Sequence, residues 1–103
     1  MTDIELLELA AKAAGIAIVP CGCRNKKWPF KHDEAISGKW GHWNPLEDDG
    51  DALRLAVKLG LLASAAFYHF RYLERFSRQY TDDITATRRA IVRSAVEVGK
   101  SMP

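Results

Sequence analysis

The chain has little of what usually marks a chemistry. It holds only two cysteines, Cys21 and Cys23, in 103 residues. That is too few for a disulfide framework, and the default is two free thiols. No long apolar run is present. The longest weakly polar stretch, Leu59 to Phe70, is shorter than the roughly 20 residues a spanning helix needs. A strong charge of one sign is also missing: the formal net charge of +2 does not by itself imply a nucleic-acid partner. There is no nucleophile elbow, no phosphate-binding loop and no H-E-x-x-H motif, and His32, His42 and His69 are scattered. The start, "MTDIELLELAAKAAG", lacks the basic opening of a secretory leader and sets Asp3, Glu5 and Glu8 into its apolar pattern. The expectation is a cytoplasmic chain away from membranes, not an enzyme, with no cofactor and no metal.

What is present is an ordinary globular composition, 48 % apolar and 27 % charged, in one domain over residues 1–103 with a modest core. Thr2 and Glu5 have capping-box spacing, and Ile4, Leu7, Ala11 and Ala14 share a stripe, which predicts a helix ended by Gly15. The β-branched "IAIV", Ile16 to Val19, predicts a strand that Pro20 stops or confines to an edge. Residues 20–42 read as irregular, with a short strand in "GKWGHW" that buries tryptophan.

A second helix follows in "WNPLEDDGDALRLAVKLG", with Leu53, Leu55, Ala56, Val57 and Leu59 on its apolar face and Gly60 as its end. Its acidic front invites comparison with a calcium loop. No glutamate stands at the closing distance, and one turn supplies too few ligands. Asp48 or Asp49 instead fits a helix cap, and Asp51 its first turn. In residues 61–80, Tyr68, Phe70 and Tyr72 alternate with His69 and Arg71, which favours a strand over about 65–73. Tyr68, Tyr72 and Phe76 also fit a helical stripe. The last segment predicts a helix capped by Thr81, Asp82 or Asp83, with Ile84, Ile91, Ala95 and Val98 inward and Gly99 at its end. The fold class is therefore α+β: a small, mostly antiparallel sheet layered with about three helices, in the order helix, two strands, helix, two strands, helix.

Three of these segments, "MTDIELLELAAKAAG", "WNPLEDDGDALRLAVKLG" and "ATRRAIVRSAVEVGK", together resemble the small phage and prophage proteins grouped as the phage ABA-sandwich domain. The resemblance covers about half the chain, in order and near both ends. It implies a sheet layered between helices and a setting in a bacterial virus or an integrated prophage. It implies no activity and no catalytic residue. Residues 20–39 and 61–80 depart from the family pattern, so added function is expected there.

Charge is uneven along the chain. Arg24, Lys26, Lys27, Lys31 and Lys39 face only Asp33 and Glu34 across residues 24–39, whereas residues 47–51 are acidic. Within "RNKKWPFKH", the cations Arg24, Lys26, Lys27 and Lys31 suit phosphate, and Trp28 and Phe30 could stack on bases. The plainer reading is a solvated loop with both rings packed on the sheet edge. Arg89 and Arg93 share one face of the last helix, a second basic face that can contact DNA phosphate or an acidic partner. The plainer reading is a solvent-exposed face partly neutralised by its own i,i+4 pairs. "PCGCRNKKWPFKH" also offers Cys21, Cys23 and His32, with His42 further on, as zinc-type ligands. A one-residue gap strains two ligands on one ion, however, and a regularly spaced second pair is missing, so no metal is expected. The functional expectation is a protein-interaction module that binds an unknown protein or a second copy of itself. The alternative is a nucleic-acid-binding accessory protein using loop 24–39.

Overall fold

The computed structural model describes residues 1–38, 41–76 and 82–102. Lys39, Trp40, Thr81 and residues 77–80 of the aromatic run lie outside the described residues.

Helix α1 spans Asp3–Ala14. The Thr2 hydroxyl accepts the Glu5 amide, and the Glu5 carboxylate accepts the Thr2 amide, so two of the free donors at the helix start are satisfied. Gly15 caps the other end. Strand β1, Ile18–Pro20, pairs antiparallel with β2, Phe30–His32, which pairs antiparallel with β3, His42–Trp43. Pro20 is the last residue of edge strand β1, where its missing N–H is tolerated. A one-turn helix α2, Glu34–Ser37, lies between β2 and β3. Helix α3, Asp49–Leu59, ends at Gly60, whose φ of 64° is one that a side chain would oppose. A 3-10 turn, Leu61–Ala63, leads to α4, Ala65–Arg75, and α5, Asp83–Lys100, closes the described chain. The class is α+β; among the described residues there are a small three-stranded antiparallel sheet, five α-helices and the 3-10 turn.

The strand expected at 65–73 is a helix instead. Ser64 decides this locally: its hydroxyl accepts the Phe67 amide and starts α4. The period of 3.6 then sorts the aromatic run into two faces. Phe67 and Glu74 are buried and Phe70 packs against the core, while Tyr68, Tyr72 and Phe76 point outward. A strand would set Tyr68, Phe70 and Tyr72 on one face; the helix instead turns Phe70 inward and leaves Tyr68 and Tyr72 outside.

Helix α5 is the hub, packing on α1, α3, α4 and the 3-10 turn. Asp82 caps it by accepting the Thr85 amide, and that bond holds the Asp82 carboxyl below the usual carboxylate range. Ala86, Ala90, Ile91, Val92, Ala95 and Val96 are buried along it. Its expected end at Gly99 is a second correction. The helix runs on to Lys100, and Gly99 is buried inside it against the Leu9 carbonyl of α1. Ile84 and Val98, expected inward, are exposed, as are Leu53 and Val57 of α3. The strands enter the core through Phe30 and Trp43, with Leu46 beside them as the anchor ahead of α3.

A methyl group on residue 99 would overlap the Leu9 backbone oxygen, which cannot turn aside as a side chain could. Alanine has the better helix propensity by up to about 1 kcal/mol, yet overpacking of this kind typically costs about 1–3 kcal/mol. Gly99→Ala is therefore expected to be destabilising on balance, with a lower urea midpoint. A midpoint equal to or above that of the parent chain would show that α1 and α5 separate without penalty.

Candidate functional site

The acidic front of α3 resolves into structure. Asp48 caps the helix, accepting the Asp51 amide at 2.8 Å. Asp51 is buried, takes the Asn44 amide at 2.9 Å and pairs with Arg54 at 2.8 Å. Asp49 pairs with Arg88 of α5 at 2.6 Å, and the same guanidinium donates to the Leu46 carbonyl. Each of these three carboxylates thus has a partner of its own chain.

The basic face on α5 is equally committed. Glu74 of α4 is buried, accepts from Arg93 at 2.8 Å and lies 3.7 Å from the Arg89 Nε. Arg89 also donates to Asp3 of α1, and the Arg93 guanidinium sits over the Phe70 ring, 4.5 Å from its centroid. The Arg89 side chain is only 15 % exposed. The basic face expected at Arg89 and Arg93 has its partners within the chain, though not as i,i+4 pairs of its own helix: folding α4 against α5 brings a buried carboxylate to both.

In the loop between β1 and β2 the predicted residues separate. Arg24, Lys26, Lys27 and Lys31 are exposed, and no ion pair among the described residues includes them. Phe30 is 8 % exposed and belongs to the core, so it cannot stack on a base; its place on the inward face of β2 removes it from the loop surface. Trp28 is half-buried and stacked on His42, centroids 5.1 Å apart and planes 18° off parallel.

That stack belongs to a more compact group. The Sγ atoms of Cys21 and Cys23 and a ring nitrogen of His42 all lie within 4.8 Å of one another. Several bonds hold the loop in this shape. The Cys21 amide donates to the Pro29 carbonyl, extending the β1–β2 ladder by a residue, and the Trp28 amide donates to the Asn25 carbonyl. The Asn25 side chain accepts the Lys27 amide. Buried Asn44, two residues after His42, donates from its side chain to the Lys27 carbonyl at 2.6 Å and accepts the Leu46 amide. The residue that organises the entry to α3 therefore also ties the cysteine loop to β3.

His32, the histidine nearest the cysteines in sequence, is not in the group. Its neighbour Lys31 pairs in register with His42, and alternation along β2 puts His32 on the opposite face, lining a hollow with Trp43, Arg54 and Lys58. Residue spacing favours His32; the β2–β3 register selects His42.

The Cys21 thiol is held below its ordinary pKa, first by the Cys23 backbone amide, then by the Cys23 thiol, with Lys31 adding a smaller favourable field. A thiol held below its ordinary pKa carries more thiolate, the nucleophilic form, at a given pH. Comparison with protein-family models, curated proteins and solved structures finds no match. No described helix is long and apolar enough to cross a membrane.

Alkylation by iodoacetamide, followed by peptide mass, is expected to label Cys21 with a rate that rises at lower pH than for an unstructured thiol. Lys31→Ala moves that profile upward. A profile matching the urea-unfolded chain would contradict the local stabilisation.

Proposed function

We propose that this chain is a non-enzymatic interaction module of the phage or prophage type, and that it binds a second copy of itself through the outer face of α4. The observation that carries this reading is the row Tyr68, Tyr72, Leu73 and Phe76, all exposed on one short helix, with Tyr72 65 % and Phe76 71 % accessible. Their side chains do not serve the core, which takes only Phe67 and part of Phe70 from α4. Contiguous exposed aromatic surface of this kind marks interfaces.

Arg71 and Arg75, which flank the row, are both paired with Asp83 of α5 at 3.4 and 3.3 Å. Glu74 is turned inward. The shared Asp83 offsets one of the two arginine charges beside the row, and a two-fold contact sets the same surface against itself. The sheet edges suit it less, because β1 ends in proline and β3 has only two residues. The phage setting rests on the resemblance carried by residues 1–15, 43–60 and 86–100.

A second reading has its own observation. Arg24, Lys26, Lys27 and Lys31 form an exposed cationic loop, and such a loop can contact the phosphates of nucleic acid. With Phe30 in the core and Trp28 against His42, that contact would be electrostatic and not sequence-reading.

Sedimentation equilibrium is expected to give a dimer at roughly tens of micromolar, and Tyr72→Glu with Phe76→Glu to give a monomer with unchanged helical content. A parent chain that stays monomeric in that range removes the self-association reading. For the second reading, a gel shift with mixed-sequence DNA or RNA should weaken steeply with salt and vanish in Lys26→Ala with Lys27→Ala. No shift at low salt removes it.

A further inference from the structure

We propose that Cys21, Cys23 and His42 bind one zinc-class divalent ion through two thiolates and one imidazole, with the fourth position open to solvent or to a partner's side chain. Three observations carry this.

The first is convergence. Donor atoms from two separate segments, the loop after β1 and strand β3, lie within 4.8 Å of one another. A tetrahedral ion held at ~2.3 Å by sulfur and ~2.0 Å by nitrogen sets such atoms about 3.5–3.8 Å apart. Closing the remaining distance takes rotation of half-buried or exposed side chains, not movement of a core.

The second is preorganisation. Trp28 lies flat on the His42 ring and fixes its plane. Asn44 and the Cys21–Pro29 bond hold the two segments together before any ion arrives. Outer contacts of this sort commonly orient metal ligands. The Cys23 thiol already points back into the loop, with the Trp28 carbonyl 3.5 Å from its sulfur.

The third is the residue between the cysteines. A one-residue gap strains two ligands on one ion, and the strain is smallest where the residue between them has the widest choice of backbone angles. Here it is Gly22, whose backbone is the least restricted and which has no neighbour within 4 Å of where a side chain would stand. The loop can therefore turn both sulfurs to one point.

The donor set chooses the class of ion. Thiolate and imidazole favour zinc and its neighbours over magnesium and calcium, which take oxygen ligands. Two thiolates also balance the charge of a divalent ion in a loop already rich in cations. An open fourth position leaves the ion free to take a donor from outside the chain. The site stands apart from the outer face of α4, so its fate and that of self-association are separable.

The test uses the full chain, reduced, stripped of metal by a chelator and kept free of oxygen. Cobalt(II) titration is expected to produce thiolate-to-cobalt charge transfer in the near ultraviolet and the visible bands of a tetrahedral ion. Both saturate at one cobalt per chain, are displaced by zinc and are unaffected by excess magnesium. Cys23→Ser and His42→Ala should each weaken binding by more than about 100-fold, beyond what loss of an outer contact costs. His69→Ala, an exposed histidine on α4, leaves it unchanged. Far-UV circular dichroism checks that each variant keeps its helices, and alkylating both thiols of the parent chain should abolish the bands without any substitution. Absence of charge transfer overturns the proposal. So do bands that survive alkylation or His42→Ala, and so does saturation at half a cobalt per chain.

Discussion

Small residues on two sides of α5 set the distances in this molecule. Ala86, Ala90, Ser94, Ala95 and Gly99 are all buried, and the Ser94 hydroxyl is satisfied by the Ala90 carbonyl one turn back. Helix axes approach according to the side chains between them. With so little volume on this helix, α1 comes close enough for Gly99 to meet the Leu9 backbone, and α4 packs along another side. Larger residues are kept for the flanks, where Ile91, Val92 and Val96 fill the remaining space. The short strands could not bury a core alone; they add Phe30 and Trp43 to one that the helices already enclose.

Around that core the charged residues divide by task. Glu74, Arg89, Arg93 and Asp3 join three helices, and Arg88 joins α5 to the start of α3. Glu74, Arg88 and Arg89 are shielded from water and serve the fold, because removing a partner leaves a desolvated ion behind, whereas Asp3 and Asp49 meet them from the exposed surface. The cations of the cysteine loop have no such tie and keep their charge for the solvent or a partner. Asn44 connects the two regions. Its four hydrogen-bonding groups reach the loop, the turn before α3 and the carboxylate of Asp51, so the geometry around His42 depends on the same residue that starts a core helix.

Much of the local structure is legible in the residues. Capping is a short-range event, so Thr2 and the glycines at 15 and 60 mark helix ends without knowledge of the rest. The caps of α3 and α5 are narrowed to Asp48 or Asp49 and to Thr81, Asp82 or Asp83, of which the structure uses Asp48 and Asp82. The run from 65 to 73 is harder. Its aromatic residues fit both periods, and only the presence of α5, with Arg93 ready for Phe70 and Glu74, decides which face is buried. Gly99 misleads for a related reason: a glycine near a helix end resembles a cap, and its use as a spacer depends on a helix some ninety residues earlier in the chain.

By itself the sequence determined the starts of α1, α3 and α5 to within a residue or two, the α+β class with a small antiparallel sheet, the capping role of the acidic run and the burial of a tryptophan ahead of α3, because each depends on neighbours a few residues apart. Tertiary structure decided which charges and rings remain available. It drew Arg89, Arg93 and Phe30 inward, turned Tyr68, Tyr72 and Phe76 outward, and through the β2–β3 register brought His42, not His32, to Cys21 and Cys23. Those outcomes rest on contacts between segments far apart in the chain, and no local pattern of residue types encodes them.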